Sequence, residues 1–86
     1  MTEILRAFAS LSRIKLIICL KKGKKNVTDL IKTCGLSQSA VSQHLAKLKK
    51  WGLVKDEKVG KEVYYQLTKK SSVTICEKLY RFAKSL

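Results

Sequence analysis

The 86 residues are enough for one domain, residues 1–86, around one modest core, and chains this short often lean on a metal, disulfides or a partner chain. Hydrophobic residues are 45% and charged residues 29% of the chain, which excludes the apolar-poor composition of a disordered polymer. Nineteen Lys and Arg against six Asp and Glu leave a formal charge of +13, more than solubility requires, so a polyanion is expected as partner; nucleic acid suits, because each lysine that neutralises a phosphate releases a condensed counterion.

In chain order, residues 2–9 place Ile4, Leu5 and Phe8 on one face and predict a short amphipathic helix. A second helix is expected from Ser10 or Ser12, either of which can cap it, with Ile14, Ile17, Ile18 and Leu20 inward and Gly23 as its stop. The longest apolar run, residues 16–20, ends on Lys21 and Lys22 and is too short to span a bilayer, so no membrane role is expected. The start of the chain lacks a basic region, apolar stretch and cleavage site in series, which makes the cytoplasm the expected address.

Asn26 is placed to cap a third helix, with Asp29 in its first turn, Leu30 and Ile31 inward, and Gly35 at its end. Ser37 caps a fourth, in which Val41, Leu45 and Leu48 make the buried stripe and Gly52 follows Trp51. Only Cys34, Gly35, Leu36 and Ser37 separate the two, and a connection that short with a glycine in it turns one helix sharply across the other, as in a helix-turn-helix. Beyond Gly52 the period changes. Residues 62–67 are rich in strand formers and can pair with residues 53–58 across Val59, Gly60 and Lys61, giving a hairpin that carries Lys58 and Lys61 at its tip. From Ser72, Ile75, Leu79, Phe82, Ala83 and Leu86 recur at helical spacing, with no further element in the sequence to cover them. The expected class is therefore mainly α with a small β-hairpin, in the order α-α-α-α-β-β-α.

Chemistry concentrates in residues 36–45. Ser37, Gln38, Ser39, Ser42, Gln43 and His44 lie largely off the buried stripe, and Lys47, Lys49 and Lys50 bracket them. Glutamine can read the N6/N7 edge of adenine, serine can bond bases or phosphates, and lysine supplies charge, so Ser37, Gln38, Ser39, Ser42, Gln43, His44, Lys47, Lys50, Lys58 and Lys61 are the candidate DNA contacts. His44 is the lone histidine and cannot build a metal site by itself; Trp51 ends the apolar stripe and is expected in the core; of the neighbours Tyr64 and Tyr65, one should face the domain and the other outward. Cys19, Cys34 and Cys76 are scattered with no CxxC pair and are expected as free thiols. No glycine-rich phosphate loop or histidine–carboxylate set is present, so no enzyme and no cofactor are expected. The alternative from another class is a basic protein that binds DNA or RNA without sequence preference.

Residues 36–45, with Leu48, residues 51–54 and residues 63–67, resemble the ArsR family of repressors, the Ser42-Gln43-His44-Leu45 core most specifically, and residues 7–14 resemble the family's opening into its second helix. The resemblance implies a winged helix-turn-helix that represses transcription as a homodimer on an inverted repeat of double-stranded DNA, the hairpin being the wing and Ile4, Leu5, Phe8, Leu79, Phe82 and Leu86 packing across the two-fold axis. One metal-sensing motif of the family puts two cysteines where this chain has Asn26 and Thr28, and another needs carboxylates and histidines on the last helix, which here holds only Glu77; no metal is expected. A third group senses oxidants or reactive sulfur through cysteines on the second and last helices. Cys19 and Cys76 lie on those helices and are the candidate thiol pair, although Cys19 stands one residue past the family position, at Ile18, and Cys76 several before the other, near Lys84.

Overall fold

The computed structural model describes residues 4–86, so Thr2 and Glu3 of the expected first helix lie outside the described residues. A 3₁₀ helix, Ile4–Ala9, leads into α1 (Leu11–Cys19), β1 (Lys25–Asn26), α2 (Val27–Cys34), α3 (Gln38–Lys50), β2 (Val54–Val59), β3 (Glu62–Leu67) and α4 (Ser71–Ser85). The first element is thus 3₁₀ rather than α. It is only six residues long, and Ser10 directly after it takes an extended backbone in order to cap α1. Ser10, not Ser12, is that cap, its hydroxyl accepting from the Arg13 N–H at 3.4 Å. α1 stops at Cys19, four residues short of Gly23, because Leu20 already closes the helix with its own N–H on the preceding carbonyls.

The sheet is larger than a hairpin. β1 pairs antiparallel with β3, Lys25 opposite Tyr65 and Asn26 opposite Tyr64, so β3 lies between β1 and β2. Two residues are too few to show any alternation in sequence, and Asn26 serves both as strand residue and as cap of α2, its Oδ1 accepting from the Asp29 N–H at 2.8 Å. β2 and β3 pair from Val54 opposite Leu67 to Val59 opposite Glu62, so the tip is the two-residue turn Gly60-Lys61 and Lys58 belongs to the strand, opposite Val63. Gly60 takes φ +63° and Lys61 does not take a positive φ, the arrangement that puts glycine first in a two-residue hairpin turn.

α1 is the central helix, packed on α4, α2, α3 and the 3₁₀ helix. That explains why Leu16 is fully buried with Ile17 although it lies off the expected inward face, and why Ile18 is only half-buried. Leu30, Val41, Leu45 and Leu48 complete the core from α2 and α3, and Leu53, Val54, Val73 and Cys76 close it. Each fully buried leucine contributes roughly 1.5–3 kcal/mol. On α4 the apolar residues divide between two faces. Val73 and Cys76 enter the core, whereas Ile75, Leu79, Phe82 and Leu86 stay exposed, Phe82 at 65% and Leu86 at 92%. Ile4 and Phe8, expected between protomers, are half-buried against this chain's own core; Leu5 and Leu11 are the exposed leucines near the start of the described chain.

Candidate nucleic-acid interface

The turn between α2 and α3 is built by local chemistry. Gly35 takes the left-handed conformation, φ 69°, and its N–H bonds the Ile31 carbonyl, ending α2. Leu36 packs on the core, and the Ser37 hydroxyl accepts from the Ala40 N–H at 3.1 Å, starting α3. Ser37, a candidate DNA contact by its position, therefore spends one lone pair of its oxygen on the cap and keeps its O–H and the other lone pair for an outward partner.

At about 100° per residue, Gln38, Ser39, Ser42, Gln43, Lys49 and Lys50 fall within one arc of α3, around Ala46 and opposite the stripe of Val41, Leu45 and Leu48. All of these polar residues are exposed. Lys47 borders the arc. His44, also a candidate DNA contact, lies off this arc: it is half-buried on the flank of α3 that faces α1, with Nδ1 3.5 Å from Arg13 Nη1. Since a guanidinium can only donate, Nδ1 accepts and Nε2 carries the proton. Burial, and then the charges of Arg13 and Lys47, hold the imidazole below its ordinary pKa of 6.5.

Arg13 organises the end of the arc. Its Nη2 donates to the Arg6 carbonyl at 2.7 Å, and its guanidinium lies 5.3 Å from the centre of the Trp51 ring. Trp51, half-buried against the core as expected, thereby becomes the floor of a cleft of about 220 Å³ walled by Arg6, Arg13, Lys47 and Lys50. Four cations around so small a space favour an anion such as a backbone phosphate. Arg6 and Arg13 were missed in the sequence, where lysine dominates the charge; the available signal was that arginine occurs at only three positions, two of them here.

The hairpin is tied to α3 at its base. Thr68 donates from Oγ1 to the Gly52 carbonyl at 2.5 Å and from its N–H to the Leu53 carbonyl at 3.0 Å, and Lys49 pairs with Asp56 at 3.0 Å. Lys49 is thus partly spent on orienting the hairpin, while Lys58 and Lys61 remain exposed along it. Tyr65 packs on the core and Tyr64 lies under Lys24, whose Nζ is 5.6 Å from its ring centre. Among the described residues, no three His, Cys, Asp or Glu side chains gather as a metal-holding group.

The expected thiol pair does not form. Cys76 is sealed in the core, and burial pushes its thiol up to about 11. The sulfur of Cys19 instead meets that of Cys34, 2.6 Å away, because the C-terminal ends of α1 and α2 lie side by side.

A turn-linked helix pair whose second member exposes an amide- and hydroxyl-bearing face, with a hairpin fixed beside it, is the arrangement of a winged helix-turn-helix. A sequence model described as the bacterial regulatory protein, arsR family, matches residues 11–56. The chain belongs to the ArsR family. Its relatives include the transcriptional repressor SmtB of Mycobacterium tuberculosis, 40% identical over 65 residues, 76% of this chain and 48% of the relative. They also include HlyU of Vibrio cholerae, named a transcriptional activator, 36% identical over 78 residues, 91% of this chain and 72% of the relative. The solved structure of HlyU superposes with a TM-score of 0.79 and 34% identity, over 94% of this chain and 88% of that one. The solution structure of Mb0332 from Mycobacterium bovis, described as a homodimeric winged helix-turn-helix DNA-binding domain, shares the fold at TM-score 0.79 and 22% identity, over 96% of this chain and 77% of that one. This ArsR-family chain spans about half the length of SmtB.

Proposed function

We propose that this ArsR-family chain is a transcriptional repressor that reads an inverted repeat in double-stranded DNA as a homodimer, without catalytic activity of its own. The observation that carries the reading is the α3 arc of Gln38, Ser39, Ser42, Gln43 and Lys50, exposed and ending at the cleft of Arg6, Arg13, Lys47 and Lys50. In this reading the arc enters the major groove, the cleft takes a phosphate, and Lys58 and Lys61 follow the backbone on the hairpin side. Exposed Ile75, Leu79 and Phe82 of α4, with Leu86 just past its end, support a two-fold partner, which would set the half-sites about one helical turn apart, roughly 34–36 Å. The names of SmtB and of Mb0332 agree with repression and with a dimer for those proteins.

The charge of +13 favours a second reading, a binder of any polyanion. Selection from a random-sequence duplex library at near-physiological salt separates the two. The repressor reading expects one inverted repeat to be enriched; affinity that merely falls with salt, with no sequence enriched, leaves the general binder.

A further inference from the structure

A cavity of about 380 Å³ opens between α1, the end of α2 and α4, and both sulfurs of the Cys19–Cys34 contact line it. The two sulfurs are in direct contact, within reach of an S–S bond of about 2.05 Å. Both cysteines are half-buried, unlike Cys76, so a small molecule in the cavity reaches them. Its other walls include Ile18 and Tyr80, which are apolar in body, and the cations Lys15 and Arg81. The acid of the cavity, Glu77, is held by Lys21 at 3.0 Å, whereas Lys15 and Arg81 take part in no ion pair among the described residues. The space is therefore shaped for a compact molecule with an anionic end.

We infer that Cys19 and Cys34 form a redox modification site, a dithiol oxidised to an intramolecular disulfide by a small, anionic organic disulfide that enters this cavity. Cys34 is the member kept as a thiol: burial, together with its contact to Cys19, pushes it up to about 12, and its S–H reaches the Lys15 carbonyl at 3.8 Å. The first step therefore starts from Cys19. Its thiolate attacks one sulfur of the reagent, a protein–reagent disulfide forms, the reagent S–S bond breaks, and one small thiolate leaves and takes up a proton. Cys34 then loses its proton to solvent and attacks Cys19 Sγ; the Cys19–Cys34 bond forms as the second small thiolate departs and is protonated. In balance, two protein thiols are oxidised by two electrons and one reagent disulfide is reduced to two thiols.

The test treats reduced, full-length protein with dithiodipropionate, caps remaining thiols with iodoacetamide after denaturation, and maps the peptides by mass. The expected product is lighter by two hydrogens, holds Cys19 and Cys34 in one reducible peptide pair and is alkylated at Cys76 alone. A lasting mixed disulfide, a link to Cys76 or a link between chains overturns the site. The cationic reagent cystamine should react about fivefold more slowly than dithiodipropionate, and Arg81→Ala should narrow that ratio while Lys61→Ala, an equal change in charge far along the hairpin, should not. Equal narrowing by both variants overturns the cavity as the source of selectivity. None of these readouts depends on DNA binding.

Discussion

At the scale of single residues, the α3 arc separates two kinds of contact that should behave differently. Gln43→Ala is expected to weaken binding to the selected duplex by about 1–3 kcal/mol and to relax preference at one base position, because a base-edge bond is lost. Lys50→Ala should weaken all duplexes alike and lower the magnitude of the slope of log affinity against log salt by about 0.9, as one phosphate contact disappears. Titration on matched and scrambled duplexes at several salt concentrations distinguishes them. His44, off the arc, bears on stability through its protonation. Its folded pKa lies below the ordinary 6.5, so the unfolded chain binds the proton more readily, and the contribution present above that value is lost as pH falls through it toward the folded pKa. Urea midpoints should drop from about pH 7.5 to about pH 5.5 and drop less in His44→Gln. The charge of Lys47 and the hydrogen bond of Arg13, which lie on other turns or another helix, are what a reader of residues 36–45 alone could not weigh.

At the scale of elements, the geometry of the helix pair rests on two local devices. Ser37→Ala removes the acceptor for the Ala40 N–H and should cost about 1 kcal/mol in chemical unfolding. Gly35→Ala meets no atom within 4 Å of the added Cβ, so its cost comes from φ 69° alone and should also be about 1–2 kcal/mol. Both devices were legible in the sequence because caps act within four residues: Asn26, Gly35 and Ser37 all stand where their types predicted. Elements whose existence depends on a distant partner were not legible. β1 exists because β3 offers an edge to Lys25 and Asn26, and the 3₁₀ helix is set by Ser10 turning away to cap α1.

At the scale of the molecule, the core and the exposed stripe make opposite predictions. Leu45 is fully buried, and Leu45→Ala should destabilise the fold by about 2–5 kcal/mol wherever stability is measured. Phe82 is 65% exposed, so Phe82→Glu should leave the helical content of a protomer intact. In the proposed dimer it places a charge in the apolar contact, and sedimentation should then report monomers with weakened binding to the full inverted repeat. A Phe82→Glu protein that remains dimeric would move the two-fold contact away from α4.

What the sequence determined by itself was whatever depends on nearby residues: the helical period of α2, α3 and α4, the caps Asn26, Gly35 and Ser37, the hairpin turn at Gly60, the charge of +13 and the pairing of α2 with α3 through the short connection of Gly35, Leu36 and Ser37. These are short-range effects of backbone conformation and of side-chain alternation, and they carry the family's features. Tertiary structure alone decided which residues meet. It brought Arg6 and Arg13 to Trp51, turned His44 from the exposed arc of α3 toward Arg13, and gave Cys19 the sulfur of Cys34 in place of Cys76. The reason is that such contacts depend on how α1 is rotated and seated among its neighbours, and one residue of rotation, about 100°, exchanges one partner for another.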